Sequence, residues 1–106
     1  MDLQQETADV LGRLIRFNTV NPPGQERECQ EYLAGYLTDA GFECELIGAE
    51  DERPNLIATL RGEADGPVLG YLSHVDTVLA RPRTGRATRG RASCTTATCG
   101  AAARST

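Results

Sequence analysis

A histidine and an aspartate two positions apart are the residues of this sequence best suited to chemistry. His74 is the only histidine of the 106-residue chain, and it lies in the stretch YLSHVDTV with Asp76 two residues further on. In an extended backbone, side chains two positions apart point to the same side, so both could face one pocket. A carboxylate that holds one ring N–H fixes the tautomer and leaves the other nitrogen free to bind a metal or a proton. The spacing alone is equally compatible with a structural histidine.

Two amphipathic helices are predicted ahead of this pair. Apolar residues recur at helical spacing over residues 2–17. The stretch Asn-Pro-Pro-Gly at residues 21–24 then stops the helix, because two prolines remove two backbone donors. A second helical pattern covers residues 26–40, and Gly41 is placed to cap its end.

Three strands are predicted after the helices. Residues 42–47 and 55–60 alternate apolar and polar side chains, as half-buried strands do. Residues 68–72 form a nearly continuous apolar run, which is typical of a central strand covered on both faces. This order predicts a layered α/β domain in which His74 follows the carboxyl end of a central strand, where open sheets place their sites.

The composition divides the chain into two parts. Residues 1–80 contain all 15 acidic residues and ordinary aliphatic content, whereas residues 81–106 contain six of the 11 arginines and no acid. The second part also lacks Leu, Ile, Val, Met, Phe, Tyr and Trp. Such a segment cannot bury enough apolar surface to offset its ordering entropy, so we predict a domain over 1–80 and a disordered tail over 81–106.

The cysteines and the hydropathy indicate the compartment. Four cysteines without a secretory signal favour free thiols in a reducing compartment. The longest apolar run is far too short to cross a bilayer. We therefore expect a soluble, cytoplasmic protein without a membrane partner.

Three stretches carry a resemblance to a known family. They are LIRFNTVNPPGQE at residues 14–26, PNL at 54–56 and LSHVDTV at 72–78. In order and spacing they resemble the start of the dinuclear zinc peptidase and deacylase family, which includes acetylornithine deacetylase, succinyl-diaminopimelate desuccinylase, aminoacylase and glutamate carboxypeptidase. The resemblance covers roughly residues 3–80, and the turn together with the histidine motif is more specific than either alone.

The resemblance implies a fold, a cofactor and roles for two residues. It implies the amino-terminal part of a three-layer α/β/α catalytic domain with a mixed sheet. His74 would bind one of two zinc ions, and Asp76 would orient that histidine. The substrate would be a small amide, an N-acyl amino acid or a dipeptide, cleaved by metal-activated water. The Asn-Pro-Pro-Gly turn would be a rigid connector with no chemistry of its own.

The chain departs from the family pattern after residue 80. The family's bridging aspartate, its adjacent glutamate pair and its last histidine have no counterpart here. A catalytic zinc ion usually takes three protein ligands, and this sequence offers one. We therefore expect the chain to be catalytically inactive, and the particular amide and the oligomeric state stay open.

A shift of reading frame would explain the departure. When residues 87–106 are written as codons and regrouped by one base, with permitted third bases chosen, they can read RDPWSGELHDGYLWGRGALD. That string resembles the family's next block, which ends on the bridging aspartate. We hypothesise that the frame shifts near Ala80 and that the tail is an out-of-register translation.

Two other interpretations of the tail remain. The chain could be a small non-catalytic binding module with a basic, arginine-rich tail. The tail has no aromatic residue for stacking on bases, so we expect no nucleic-acid partner. Cys94 and Cys99 could suggest a metal site, but no second pair or histidine lies nearby, and the frame shift accounts for them without function.

Overall fold

The computed structural model describes residues 2–79 and the backbone of two short strands, Ala92–Thr95 and Thr98–Ala101. Those two strands pair antiparallel, with Ala92 opposite Ala101. Apart from these two strands, residues 81–106 lie outside the described part of the chain, and the disordered tail stays a prediction. The expectation that Cys94 and Cys99 form no metal site also stays a prediction, because their side chains are not described.

The first helix, α1, spans Leu3–Arg16 and agrees with the predicted 2–17. It begins after Asp2, whose carboxylate accepts a hydrogen bond from the Gln5 N–H at 2.7 Å. This bond satisfies one of the donors that a helix leaves unpaired at its start. Arginines in the last turn lie at the carbonyl end of the helix, where a positive charge is favourable.

The second helix, α2, spans Arg27–Asp39, close to the predicted 26–40. Its first donors are satisfied from outside the helix, because the Glu52 carbonyl accepts from the N–H groups of Glu26 and Arg27 at 2.9 and 3.2 Å. After the helix, Gly41 has φ +101°, a left-handed conformation that favours glycine at a helix end.

Aromatic side chains join the two helices. The rings of Phe17 and Tyr32 lie 5.8 Å apart, and the Arg13 guanidinium lies 5.3 Å from the centre of the Tyr32 ring. The Tyr36 hydroxyl donates a hydrogen bond to the Glu6 carboxylate. These contacts fix α1 against α2 although α1 has no buried residue of its own.

The strands β1, Glu43–Ile47, and β2, Asn55–Thr59, form an antiparallel pair in which Glu43 lies opposite Thr59. They confirm the strands predicted over 42–47 and 55–60. Half-buried and exposed positions alternate along both strands. The half-buried positions, such as Leu46 and Leu56, form one face of the pair, and α2 packs against this sheet.

The prediction of a central strand over residues 68–72 is wrong for this chain. The segment has no regular secondary structure, Leu72 is fully exposed, and the other apolar side chains of the run are nearly so. A strand needs neighbours for its N–H and C=O groups, and no described residue pairs with this segment. Parallel pairing within residues 2–79 is limited to one bridge, between Val20 and Thr77, so the expected mixed sheet is not seen there.

The buried side chains gather in one place. Within residues 2–79 they belong to Thr19, Val20, Glu26, Cys29 and Pro54, and Gly24 is buried beside them. This cluster lies where the turn after α1, the start of α2 and the start of β2 meet. No helix among the described residues is long and apolar enough to span a membrane.

Candidate functional site

The segment that carries His74 and Asp76 is held by the turn after α1. The Thr77 N–H donates to the Thr19 carbonyl and the Asn21 N–H donates to the Thr77 carbonyl, both at 2.9 Å. The Thr19 hydroxyl adds a bond to the Val75 carbonyl at 2.8 Å. The motif is therefore placed by backbone pairing with a segment more than fifty residues earlier.

The structure brings His74 and Asp76 into direct contact. The His74 Nδ1 atom lies 2.9 Å from the Asp76 Oδ1 atom and 3.1 Å from the Asp76 carbonyl oxygen. Both oxygens can only accept when the carboxyl is ionised, so a proton on Nδ1 satisfies this geometry. That tautomer leaves Nε2 with its lone pair, and the side chain is 83 % exposed.

The Asp76 carboxylate divides its two oxygens between two partners. While Oδ1 faces His74, Oδ2 accepts a hydrogen bond from the Asn21 side-chain amide at 3.1 Å. The hydrogen bonds from Asn21 and then from His74 hold the pKa of Asp76 below its usual value. The carboxyl therefore stays ionised and able to accept from the imidazole.

An ion pair lies beside Asp76. The Arg53 guanidinium bonds the Glu26 carboxylate, with Nη2 3.1 Å from Oε1, and this raises the pKa of Arg53. The Glu26 side chain is only 8 % exposed, so the arginine compensates a nearly buried charge. The same Nη2 atom lies 4.0 Å from Asp76 Oδ2. Arg53 thus adds positive charge to the site without a close bond to Asp76.

A glycine makes room for this guanidinium. Gly24, the last residue of the Asn-Pro-Pro-Gly turn, has φ +79°, a left-handed conformation. A Cβ atom at this position would lie 2.5 Å from the Arg53 Nε atom. The turn therefore needs glycine for two reasons, its backbone conformation and the close approach of Arg53.

These residues line a cleft of about 330 Å³. His74 and Asp76 contribute to its lining together with Glu26, Arg53 and residues 48–50 of the turn between β1 and β2. The cleft is polar and open to solvent, so it exposes the imidazole to small molecules.

The described residues do not complete a catalytic zinc site. No group of three or more His, Cys, Asp or Glu side chains in this part of the chain is arranged to hold a metal. A catalytic zinc ion usually takes three protein ligands, and the cleft offers the Nε2 atom of His74. The described donors thus supply His74 as one ligand and fall short of the three that a catalytic zinc site needs.

Three residues of the site were not predicted. The sequence pattern places Asn21 in a connector and indicates no role for Glu26 or Arg53. Asn21 and Asp76 are 55 positions apart, and no local pattern couples residues at that separation. The one available signal was the Asn-Pro-Pro-Gly string itself, whose asparagine is the residue that reaches the site.

The sequence of this chain is similar to those of curated proteins. The chain is 40% identical over 83 residues to a succinyl-diaminopimelate desuccinylase of Ralstonia pickettii (strain 12J), a match that covers 74% of this chain and 21% of the relative. It is 41% identical over 71 residues to one of Pseudomonas fluorescens (strain Pf0-1), covering 67% of this chain and 18% of the relative. A third, from Xanthomonas oryzae pv. oryzae (strain PXO99A), is 41% identical over 78 residues, with 74% and 19% covered.

The matches cover only a small part of each relative. The chain spans about a fifth of the length of the curated relatives it matches. No family model matches the chain, and no solved structure does.

Proposed function

Because the chain belongs, as a fragment, to the peptidase and deacylase family that includes succinyl-diaminopimelate desuccinylase, we propose that residues 1–80 are the amino-terminal part of its catalytic domain. The intact domain would have the three-layer α/β/α architecture with a mixed sheet. The two helices and the β1–β2 pair of this chain are compatible with such a part. The exposed apolar run at residues 68–72 would be covered in the longer protein.

The proposed activity is hydrolysis of a small N-acyl amino acid or dipeptide. The relatives are named for removal of a succinyl group from diaminopimelate, so an amide next to a carboxylate is the substrate class we propose for the intact protein. In hydrolases of this kind, zinc supplies an activated water and polarises the carbonyl. His74 would bind the metal through Nε2, and Asp76 would hold the proton on Nδ1.

The observation that supports these roles is the contact between His74 Nδ1 and Asp76 Oδ1 at 2.9 Å. A histidine that ligates a metal almost always donates its other N–H to a carboxylate, a carbonyl or water. Here both the carboxylate and the carbonyl of Asp76 lie within reach of that N–H. The imidazole is thus held in the form that a metal ligand needs.

We propose that the 106-residue chain is inactive and that residues 81–106 are translated out of frame. A single ligand cannot assemble the site, and the first of the missing carboxylates, the bridging aspartate, ends the block that the alternative frame can encode. The tail would then have no partner and no function of its own.

The nucleotide sequence across codons 78–106 and downstream tests the proposal first. We expect the alternative frame to continue into an open sequence with the family's later carboxylates and histidine. The frame-restored protein should hydrolyse N-succinyl amino acids in the presence of zinc, whereas the 106-residue chain should not.

Two variants of the restored protein give the matched comparison. His74→Ala should lose nearly all hydrolysis, while Glu43→Ala, which removes an exposed ion pair with Arg61, should not. An alternative frame that stops at once would argue against the proposal. So would a 106-residue chain that unfolds cooperatively and binds a defined partner without residues 81–106, as a small binding module would.

A further inference from the structure

Asp76 has a second contact that decides where its carboxylate points. The Oδ2 atom accepts from the Asn21 Nδ2 atom at 3.1 Å, while Oδ1 lies 2.9 Å from His74 Nδ1. We propose that Asn21 is a positioning residue, which holds Asp76 by one oxygen so that the other stays aimed at the histidine. The inference deepens the proposed function, since it concerns the residue that would orient a metal ligand.

The Asn21 backbone is fixed independently of its side chain. Its N–H donates to the Thr77 carbonyl at 2.9 Å, and the Gly24 N–H closes the turn onto the Val20 carbonyl at 2.9 Å. The side-chain amide of Asn21 therefore extends from a backbone position that hydrogen bonds hold in place. An amide NH₂ is also a suitable donor for an ionised carboxylate, which can only accept.

Arg53 cannot supply this directional contact. Its Nη2 atom lies 4.0 Å from Asp76 Oδ2, beyond hydrogen-bond distance, and both Nε and Nη2 are engaged by Glu26 at 3.1–3.3 Å. The arginine attracts the carboxylate without fixing its rotation. Asn21 is the side chain within hydrogen-bond reach of Oδ2.

The histidine depends on this arrangement because little else holds it. The His74 side chain is 83 % exposed, and the hydrogen bonds described for it go to Asp76 alone. When the carboxylate rotates, the imidazole loses the charged acceptor at 2.9 Å and keeps only the neutral carbonyl oxygen of Asp76 at 3.1 Å, which is the weaker partner for a proton on Nδ1. Loss of the Asn21 side-chain amide is therefore expected to change the tautomer of His74, and the effect passes through Asp76.

The tautomer of the histidine tests the proposal without any metal. His74 is the only histidine, so ¹⁵N spectra of the 106-residue chain at about pH 8.5, where imidazole is neutral, report on this ring alone. We expect the Nδ1–H form to be the majority in the unsubstituted chain. Asn21→Ala should lower the Nδ1–H fraction, because the ring then loses its charged acceptor and moves toward the Nε2–H form that an unconstrained imidazole prefers.

Asn18→Ala is the matched control. Asn18 lies three residues earlier in the same turn, and its side-chain oxygen accepts from the Val20 N–H at 3.4 Å, whereas the Asn21 side chain donates to Asp76. We expect this variant to keep the Nδ1–H majority. Protection of the Thr77 amide against hydrogen exchange shows in each variant whether the bridge to Thr19 is intact.

If Asn21→Ala loses that protection, Asn21→Leu decides, because it keeps the approximate shape of the side chain and removes the donor without adding a charge beside Asp76. An unchanged tautomer in a variant with an intact bridge would overturn the proposal, as would an unsubstituted chain that already shows the ratio of a free ring. These results are separate from the proposed function. A restored protein that hydrolyses amides while its Asn21 variant keeps the Nδ1–H form would overturn this inference and leave the proposed function standing.

Discussion

Gly24 and Asn21, at the two ends of one turn, show what a single residue contributes to this site. Gly24 has a left-handed backbone and leaves space for the Arg53 guanidinium, and Asn21 donates to Asp76. The string Asn-Pro-Pro-Gly predicts a turn from its composition, and the turn is present. The partners of its two end residues could not be predicted, because they lie 29 and 55 positions further along the chain.

Replacement of Gly24 by alanine should destabilise the chain. A left-handed conformation costs an alanine about 1–2 kcal/mol, and the added Cβ also displaces the guanidinium of Arg53. Gly35→Ala is the control, because Gly35 lies within α2 with open space around it and should gain about 0.5–1 kcal/mol. Urea unfolding of the two variants measures both changes, and equal effects would contradict the account.

The carboxyl of Asp76 should make the site sensitive to acid. Its pKa in the folded chain is lowered by the hydrogen bonds from Asn21 and His74. The contribution of these bonds is therefore complete above the unfolded pKa of about 3.9 and is lost as the pH falls through the lower folded value. The Asn21 side-chain amide signal, followed by NMR from pH 6 to about pH 2, should shift in that lower range. Asp76→Asn should abolish the shift.

Some elements of this chain are determined by residues within the segment itself, and others depend on neighbours elsewhere in the chain. The two helices and the β1–β2 pair follow from periodicity, capping and turn residues within each segment, and the sequence predicts all of them. The apolar run at residues 68–72 has the composition of a central strand, yet it is exposed. A strand of that kind depends on neighbours elsewhere in the chain, and its own residues cannot provide them.

Charge on this exposed run should improve solubility without loss of stability. Leu72 is fully exposed, so Leu72→Lys removes no buried contact and breaks an apolar surface that favours association. Leu46→Lys is the contrasting variant, because Leu46 is half-buried on the face of β1. Light scattering and thermal unfolding should show less aggregation for the first variant and a lower melting temperature for the second. A drop in melting temperature for Leu72→Lys would show that the run is packed.

For the molecule as a whole, the site and the best-buried part of the described chain coincide. Thr19, Val20, Glu26 and Cys29 lie directly around the turn and the ion pair that support Asp76. In most domains, secondary structure packed around a large apolar core positions the site. Here a few buried groups and polar contacts do so, which agrees with a chain that spans a fifth of its relatives.

So few buried side chains predict a shallow dependence of the unfolding free energy on urea concentration. The slope of unfolding free energy against urea scales with the surface exposed on unfolding, and small proteins usually give about 1–3 kcal/mol/M. We expect the 106-residue chain to lie at or below the lower end of this range. The frame-restored protein should give a clearly steeper slope in the same measurement, and equal slopes would contradict the view that most of the core is missing.

The bridge between Val20 and Thr77 joins the histidine segment to the turn after α1. Residues 61–72 between β2 and the motif are exposed throughout, so they act as a tether that keeps the histidine segment near its docking edge. A few hydrogen bonds suffice because the tether gives the segment a high effective concentration. A single cut in this stretch would turn the contact into an association between two separate peptides, and the bridge would then depend on the concentration of those peptides although every bond partner is still intact.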